Sequence, residues 1–123
     1  MNDPRIAQGL RVLLVEDEIL ILMDIEDTLR DLGAEVVGTA ARLDAALRLA
    51  EEKVIDIAFL DVHIQGGDTY AVADILQRRG IPFVFCTGYS DWSIDALYSG
   101  RPRVTKPYGP GEIEKQVRHL LNS

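Results

Sequence analysis

The chain has 123 residues, 47% of them hydrophobic, and a formal net charge of −7. That is the size of one domain with one sizeable core; its acidic balance argues against nucleic acid, whose phosphates want clustered Lys and Arg, and against an anionic membrane surface. Met1 to Gly9 is polar and lacks the apolar stretch of a signal peptide, no apolar run is long enough to span a bilayer, and the lone Cys86 excludes an internal disulfide framework and fits a reducing cytoplasm.

Apolar runs and helical patterns alternate along the chain. "RVLLV" (Arg11–Val15) is short and β-branched, like a strand buried on both faces. From Ile19 to Leu32 the apolar stripe Leu22, Ile25, Leu29 and Leu32 has helical spacing, and Gly33 reads as its stop. "AEVVGTA" is a second strand, followed by a helix over 44–52 with Ala46, Leu47 and Ala50 at helical spacing. "IDIAFL" (Ile55–Leu60) is a third strand, and Tyr70 to Arg79 a third helix, ended by Gly80. "IPFVFC" is a fourth strand, "SDWSIDALYS" holds a short helix, and "RPRVTK" is a weak fifth strand. Ile113, Val117, Leu120 and Leu121 make an amphipathic last helix from Gly111 to Leu121. Such β-α alternation predicts a parallel sheet with helices on both faces and right-handed crossovers. In open sheets of this kind ligands bind outside the carboxyl ends of the strands.

The residues at those ends form a set. Glu16, Asp17 and Glu18 follow the first strand and Asp61 the third; Thr87 and Gly88 follow the fourth, and Lys106 and Pro107 the fifth. Glu16, Asp17 and Asp61 crowded together repel one another, and a hard divalent cation removes the conflict. Oxygen ligands suit Mg²⁺ (or Mn²⁺), which binds one or two carboxylates together with phosphate oxygens. Lys106 adds a point charge and Thr87 a hydroxyl donor. A metal, an ammonium and a hydroxyl around one carboxylate make a clamp for a phosphoryl group, with Asp61 as nucleophile. Neither a G-x-x-x-x-G-K-[ST] loop nor a G-x-G-x-x-G fingerprint is present.

Taken singly, each residue has an ordinary reading. Asp17 and Glu18 suit a helix start, Asp61 a turn before Gly66-Gly67, Lys106 the surface and Thr87 a strand-end cap. Cys86 reads as a small buried side chain, and His63 and His119 lack zinc-ligand spacing.

The ordered set "LLVEDE", "FLDVHIQGG", "FCTGY" and "VTKPY" resembles the receiver domain of bacterial two-component response regulators, over nearly the whole chain from Arg11 to Leu121. The resemblance implies a flavodoxin-like (βα)5 fold with strand order 2-1-3-4-5, a tail over residues 1–9 and a receiver domain over 10–123. It implies that Asp17 and Asp61 ligate Mg²⁺ with the main-chain carbonyl of His63, and that Glu16 acts through a metal-bound water. Asp61 would then take a phosphoryl group from a phosphohistidine on a sensor histidine kinase, Thr87 and Lys106 would hold its oxygens, and a cis bond would precede Pro107. "FCTGY" is also similar to the F-A-T-G-Y stretch of a subgroup of stand-alone receivers that work with histidine kinases of stress or light signalling; Cys86 stands where that subgroup has alanine.

Two departures stand out. Arg103 occupies the position, three before the lysine, where receivers usually carry an aromatic switch residue, so the usual Thr-to-aromatic switch is not expected. His63 and Tyr89, two residues after Asp61 and Thr87, are bulky, and are expected to shield the acyl phosphate and lengthen its life. With the chain ending soon after the last helix, the expectation is a single-domain cytoplasmic phosphoacceptor, monomeric or weakly dimeric. It would signal, relay to a histidine phosphotransfer protein, or drain phosphate through protein contacts. The alternatives are a phosphorylation-independent interaction module on the same fold, for which Arg103 speaks, and a Mg²⁺-dependent phosphatase, against which speaks His63 at the position where a general-acid Asp would stand.

Overall fold

The computed structural model of the protein describes residues 6–87, 103–105 and 111–122. In chain order the elements are β1 (Arg11–Val15), α1 (Ile19–Asp31), β2 (Glu35–Ala40), α2 (Leu43–Glu52), β3 (Ile57–Asp61), β4 (His63–Ile64), β5 (Gly67–Asp68), α3 (Tyr70–Arg78), β6 (Phe83–Thr87), β7 (Arg103–Thr105) and α4 (Glu112–Leu121). Five strands form one sheet in the order β2-β1-β3-β6-β7, every pairing parallel. Set apart from the two-residue antiparallel hairpin β4–β5, this is the flavodoxin-like order that the resemblance implied.

Both faces of the sheet are covered, which is why its central strands read as unbroken apolar runs. Successive side chains alternate between faces. Leu13, Val15, Ala58, Leu60, Phe83 and Phe85 pack with Ala46, Ala50, Val72 and Leu76 of α2 and α3. Val12, Leu14, Ile57, Phe59, Val84 and Cys86 pack with Ile25 and Leu29 of α1 and with Ile113, Val117 and Leu120 of α4. Phe85 meets both Phe83 and Tyr70 edge to face, with ring centroids 5.5 and 6.1 Å apart.

The two glycines read as helix stops act as such. Gly33 (φ 94°) and Gly80 (φ 72°) are left-handed. Beyond them Ala34 N donates to Leu29 O (2.9 Å) and Ile81 N to Leu76 O (2.8 Å), closing the ends of α1 and α3 with one motif. Ahead of β1, Ala7 is buried and its N–H donates to Leu32 O (2.9 Å), so this part of the stretch 1–9 is docked on the end of α1.

Two strands differ from expectation at their ends. The third starts at Ile57, not Ile55, because Asp56 is occupied with Arg11: its N–H donates to Arg11 O (2.7 Å) and its carboxylate accepts from Arg11 N (2.8 Å) and Nε (3.0 Å). The fourth starts at Phe83, not Ile81. Pro82 has no N–H for a ladder, and the N–H of Ile81 is spent on α3. The predicted short helix over 90–99 lies outside the described residues.

Candidate functional site

The carboxyl edge of the sheet is assembled by register. Val15 of β1 stands beside Leu60 of β3, so the residues that follow them, Glu16 and Asp61, are brought side by side. Asp61 in turn pairs with Cys86 of β6, and Thr87 with Thr105 of β7. Asp61 is the last residue of β3, not the first residue beyond it, and it is buried at 5% exposure; Glu16 is buried at 2%. Two buried carboxylates, one just past β1 and one at the last position of β3, are a costly arrangement in a fold with nothing to gain from them.

Glu16 folds back so that its Oε1 accepts from the N–H of Glu18 (3.1 Å), the residue that precedes the first turn of α1. Carboxylate oxygens of Glu16, Asp17 and Glu18 lie within 4.8 Å of one another. Asp17 is half-buried and Glu18 exposed, so the group opens from the interior to solvent. Hard oxygen donors gathered in this way fit a hydrated divalent cation such as Mg²⁺. Glu18 joins Glu16 and Asp17 in that group, whereas Asp61 stands on the neighbouring strand. By sequence alone Glu18 reads as a helix-start acid; the run of three acids is the signal for its place in this group.

The chain turns sharply after Asp61. The N–H of His63 faces Asp61 Oδ1 at 3.4 Å, and the His63 side chain is exposed. The hairpin β4–β5 then returns the chain to Thr69. Gln65 of that hairpin is strapped to the start of α2, with Leu43 N donating to Gln65 O (2.8 Å). Thr69 is wholly buried, and its hydroxyl donates to Asp61 O (2.7 Å). Sequence reasoning missed this residue, because a Thr before a helix looks like an N-cap, whereas its side chain bonds backward into the loop.

β7 places the main chain of Arg103 beside Phe85. Gly88, Tyr89, Lys106 and Pro107, with the expected cis bond, lie outside the described residues, as do the side chains of Thr87 and Arg103.

A family model described as the response regulator receiver domain matches residues 12–118. SdrG from Sphingomonas melonis Fr1 is 41% identical and superposes with a TM-score of 0.82 over 94% of this chain and 98% of its own. The receiver domain of the sensor histidine kinase PA1611 from Pseudomonas aeruginosa PAO1, solved with a magnesium ion coordinated in its active-site cleft, is 25% identical, with a TM-score of 0.80 over 94% of this chain and 99% of its own. The phyllosphere-induced regulator PhyR of Methylorubrum extorquens is 30% identical over 117 residues, 89% of this chain and 43% of that protein. The chain spans about half the length of the curated relatives it matches.

Proposed function

This chain belongs to the response regulator receiver domain family of two-component signalling, and from that premise we propose that Asp61 is its phosphoacceptor. The carboxylate oxygen of Asp61 attacks phosphorus of a phosphohistidine on a sensor histidine kinase. An O–P bond forms, the P–N bond breaks, and its electron pair returns to the imidazole nitrogen, which takes up a proton. The observation that supports this reading is the buried Asp61 at the end of β3, beside buried Glu16 at the end of β1.

Glu16, Asp17, Asp61 and the main-chain carbonyl of His63 would hold Mg²⁺, with Glu16 acting through a water; when bound, the ion neutralises charge on the transferring oxygens. Thr87 and Lys106 hold the phosphoryl oxygens by hydroxyl and ammonium. His63 and Tyr89 shield the acyl phosphate from water, so His63→Ala and Tyr89→Ala hydrolyse it faster. The kinase partner is one of stress or light signalling, and a histidine phosphotransfer protein is the second partner class. Among the described residues no helix is long and apolar enough to cross a membrane; the proposal places the protein with its kinase partner in the cytoplasm.

Intact mass after incubation with Mg²⁺ and acetyl phosphate tests the acceptor. Wild type gains one phosphoryl group and Asp61→Asn none. Equal gain in both variants overturns the assignment to Asp61. No gain in wild type, with acetyl phosphate or with a panel of phosphorylated kinases, overturns the function.

A further inference from the structure

We infer that Thr69 is the positioning residue of the acceptor loop: its hydroxyl and main-chain N–H fix the two peptide units after Asp61 and so aim the His63 N–H at the Asp61 carboxylate. The inference rests on Asp61 being the phosphoacceptor.

A trans peptide unit is planar, and its C=O and N–H point in opposite directions. The unit joining Asp61 to Val62 is held at both ends. Its oxygen accepts from Thr69 Oγ1 (2.7 Å), and its N–H donates to Cys86 O on β6 (3.4 Å). The next unit, Val62 to His63, is held in the same way. Its oxygen accepts from Thr69 N (2.9 Å) and lies 3.3 Å from Thr69 Oγ1, while its N–H faces Asp61 Oδ1 at 3.4 Å. With the oxygen end tied to Thr69, the donor end has one direction left, toward the carboxylate.

Thr69 is itself anchored. It is 0% exposed, and its own carbonyl accepts from Ala73 N (3.0 Å) in the first turn of α3. The grip on the loop is thereby referred to a helix packed on the sheet, which is what precise placement of a reacting group requires. The same peptide grip sets the chain direction at His63, whose carbonyl is the main-chain metal ligand in the proposed site.

The test compares wild type with Thr69→Val, which keeps the shape and loses the O–H, and Thr69→Ser, which keeps the O–H. The first readout is the rate of phosphoryl gain from acetyl phosphate at saturating Mg²⁺. Thr69→Val slows it about tenfold and Thr69→Ser stays within about twofold of wild type, a range set by the loss of one buried hydrogen bond. The second is hydrogen exchange of the His63 amide, which needs no phosphoryl donor: Thr69→Val exchanges about tenfold faster relative to the Leu76 amide in α3, for the same lost bond. A Val variant with wild-type rate and wild-type His63 protection overturns the inference. So does a Ser variant as impaired as Val, which would assign the effect to methyl packing. Should Thr69→Val not fold, Thr69→Ala takes its place with the same two outcomes. A wild type that gains no phosphoryl group sinks the Asp61 reading by the first readout, and Thr69 is then judged by the second alone, where unchanged His63 protection overturns it.

Discussion

Glu16 and Asp61 are neighbours because Val15 and Leu60 pair in parallel register, and both carboxylates are buried at the ends of their strands. With Asp17 and Glu18 beside Glu16, negative charge is concentrated at this edge of the sheet, from the buried Glu16 out to the exposed Glu18. Like charges so placed disfavour one another, and a divalent cation bound among them would relieve that repulsion.

The first prediction follows from this relief. Mg²⁺ at ten times its dissociation constant adds about 1.4 kcal/mol to wild-type stability, by mass action on the folded state. Asp17→Asn loses that increment, and without metal it is at least as stable as wild type because one charge has left the cluster. Urea unfolding with and without Mg²⁺ measures both, each protein compared with its own metal-free curve. Retention of the full Mg²⁺ increment by Asp17→Asn would remove Asp17 from the metal site.

A second prediction concerns α2 and α3. Arg79 donates from Nη1 to Ala50 O and from Nη2 to Lys53 O (2.8 Å), so a side chain at the end of α3 caps the carbonyl end of α2. Its neighbour Arg78 makes an ion pair with Glu51 (2.8 Å), both side chains more than half exposed. Arg79→Ala is expected to cost about 1–2 kcal/mol, because it strips two helix-end carbonyls of a charged donor. Arg78→Ala is expected to cost less than about 0.5 kcal/mol, because an exposed pair gains little over water. Denaturant midpoints for the two variants decide; equal losses would mean that the cap is no better than the surface pair.

The contrast between Arg78 and Arg79 shows where sequence reading stops. Strands buried on both faces are legible as apolar runs, and helices as stripes ending in Gly33 and Gly80. Of the candidate site, the approach of Glu16 to Asp61 was legible, because the fold puts the ends of adjacent strands together; Lys106 and the side chain of Thr87 lie outside the described residues. What the sequence did not disclose depends on tertiary direction. Whether Arg78 or Arg79 reaches α2, whether Thr69 caps forward or bonds backward, and whether Asp61 is within or beyond its strand are settled by loop geometry. The hairpin β4–β5, with two-residue strands around Gln65-Gly66, is too short to leave a period. Pro82 and Asp56 displaced strand starts through local bonding that an apolar run does not reveal.

Acid stability supplies a third prediction. The side-chain hydrogen bond from Arg11 holds the carboxyl of Asp56 below the usual carboxylate range. A lowered folded-state value means that the stabilisation is present above the unfolded carboxyl value and fades as pH falls through the folded one. Asp56→Asn is therefore less stable than wild type at neutral pH, and the gap closes as the pH is taken into the acid range. The pair is partly exposed, with side chains at 44% and 30%, so the gap is small and narrows further in high salt. Unfolding curves across pH for both proteins check it; a gap that widened on acidification would reverse the sign and remove the ion pair as its cause.

The fourth prediction separates packing from redox chemistry at Cys86. The thiol is 1% exposed, packed among Val84, Leu14 and Phe59 on the face covered by α1 and α4, although its main chain pairs with Asp61. So deep a burial keeps a reagent from reaching the sulfur. Modification by a thiol reagent must then await an opening of the fold. The folded protein is expected to react more slowly than the urea-unfolded chain by on the order of a hundredfold or more, and low concentrations of urea should speed the reaction in step with unfolding. Cys86→Ala should accept a phosphoryl group at close to the wild-type rate while losing about 1 kcal/mol of stability to the small cavity left behind. A thiol that reacted rapidly in the absence of urea, with phosphoryl acceptance abolished by its modification, would instead make Cys86 a control point beside the acceptor.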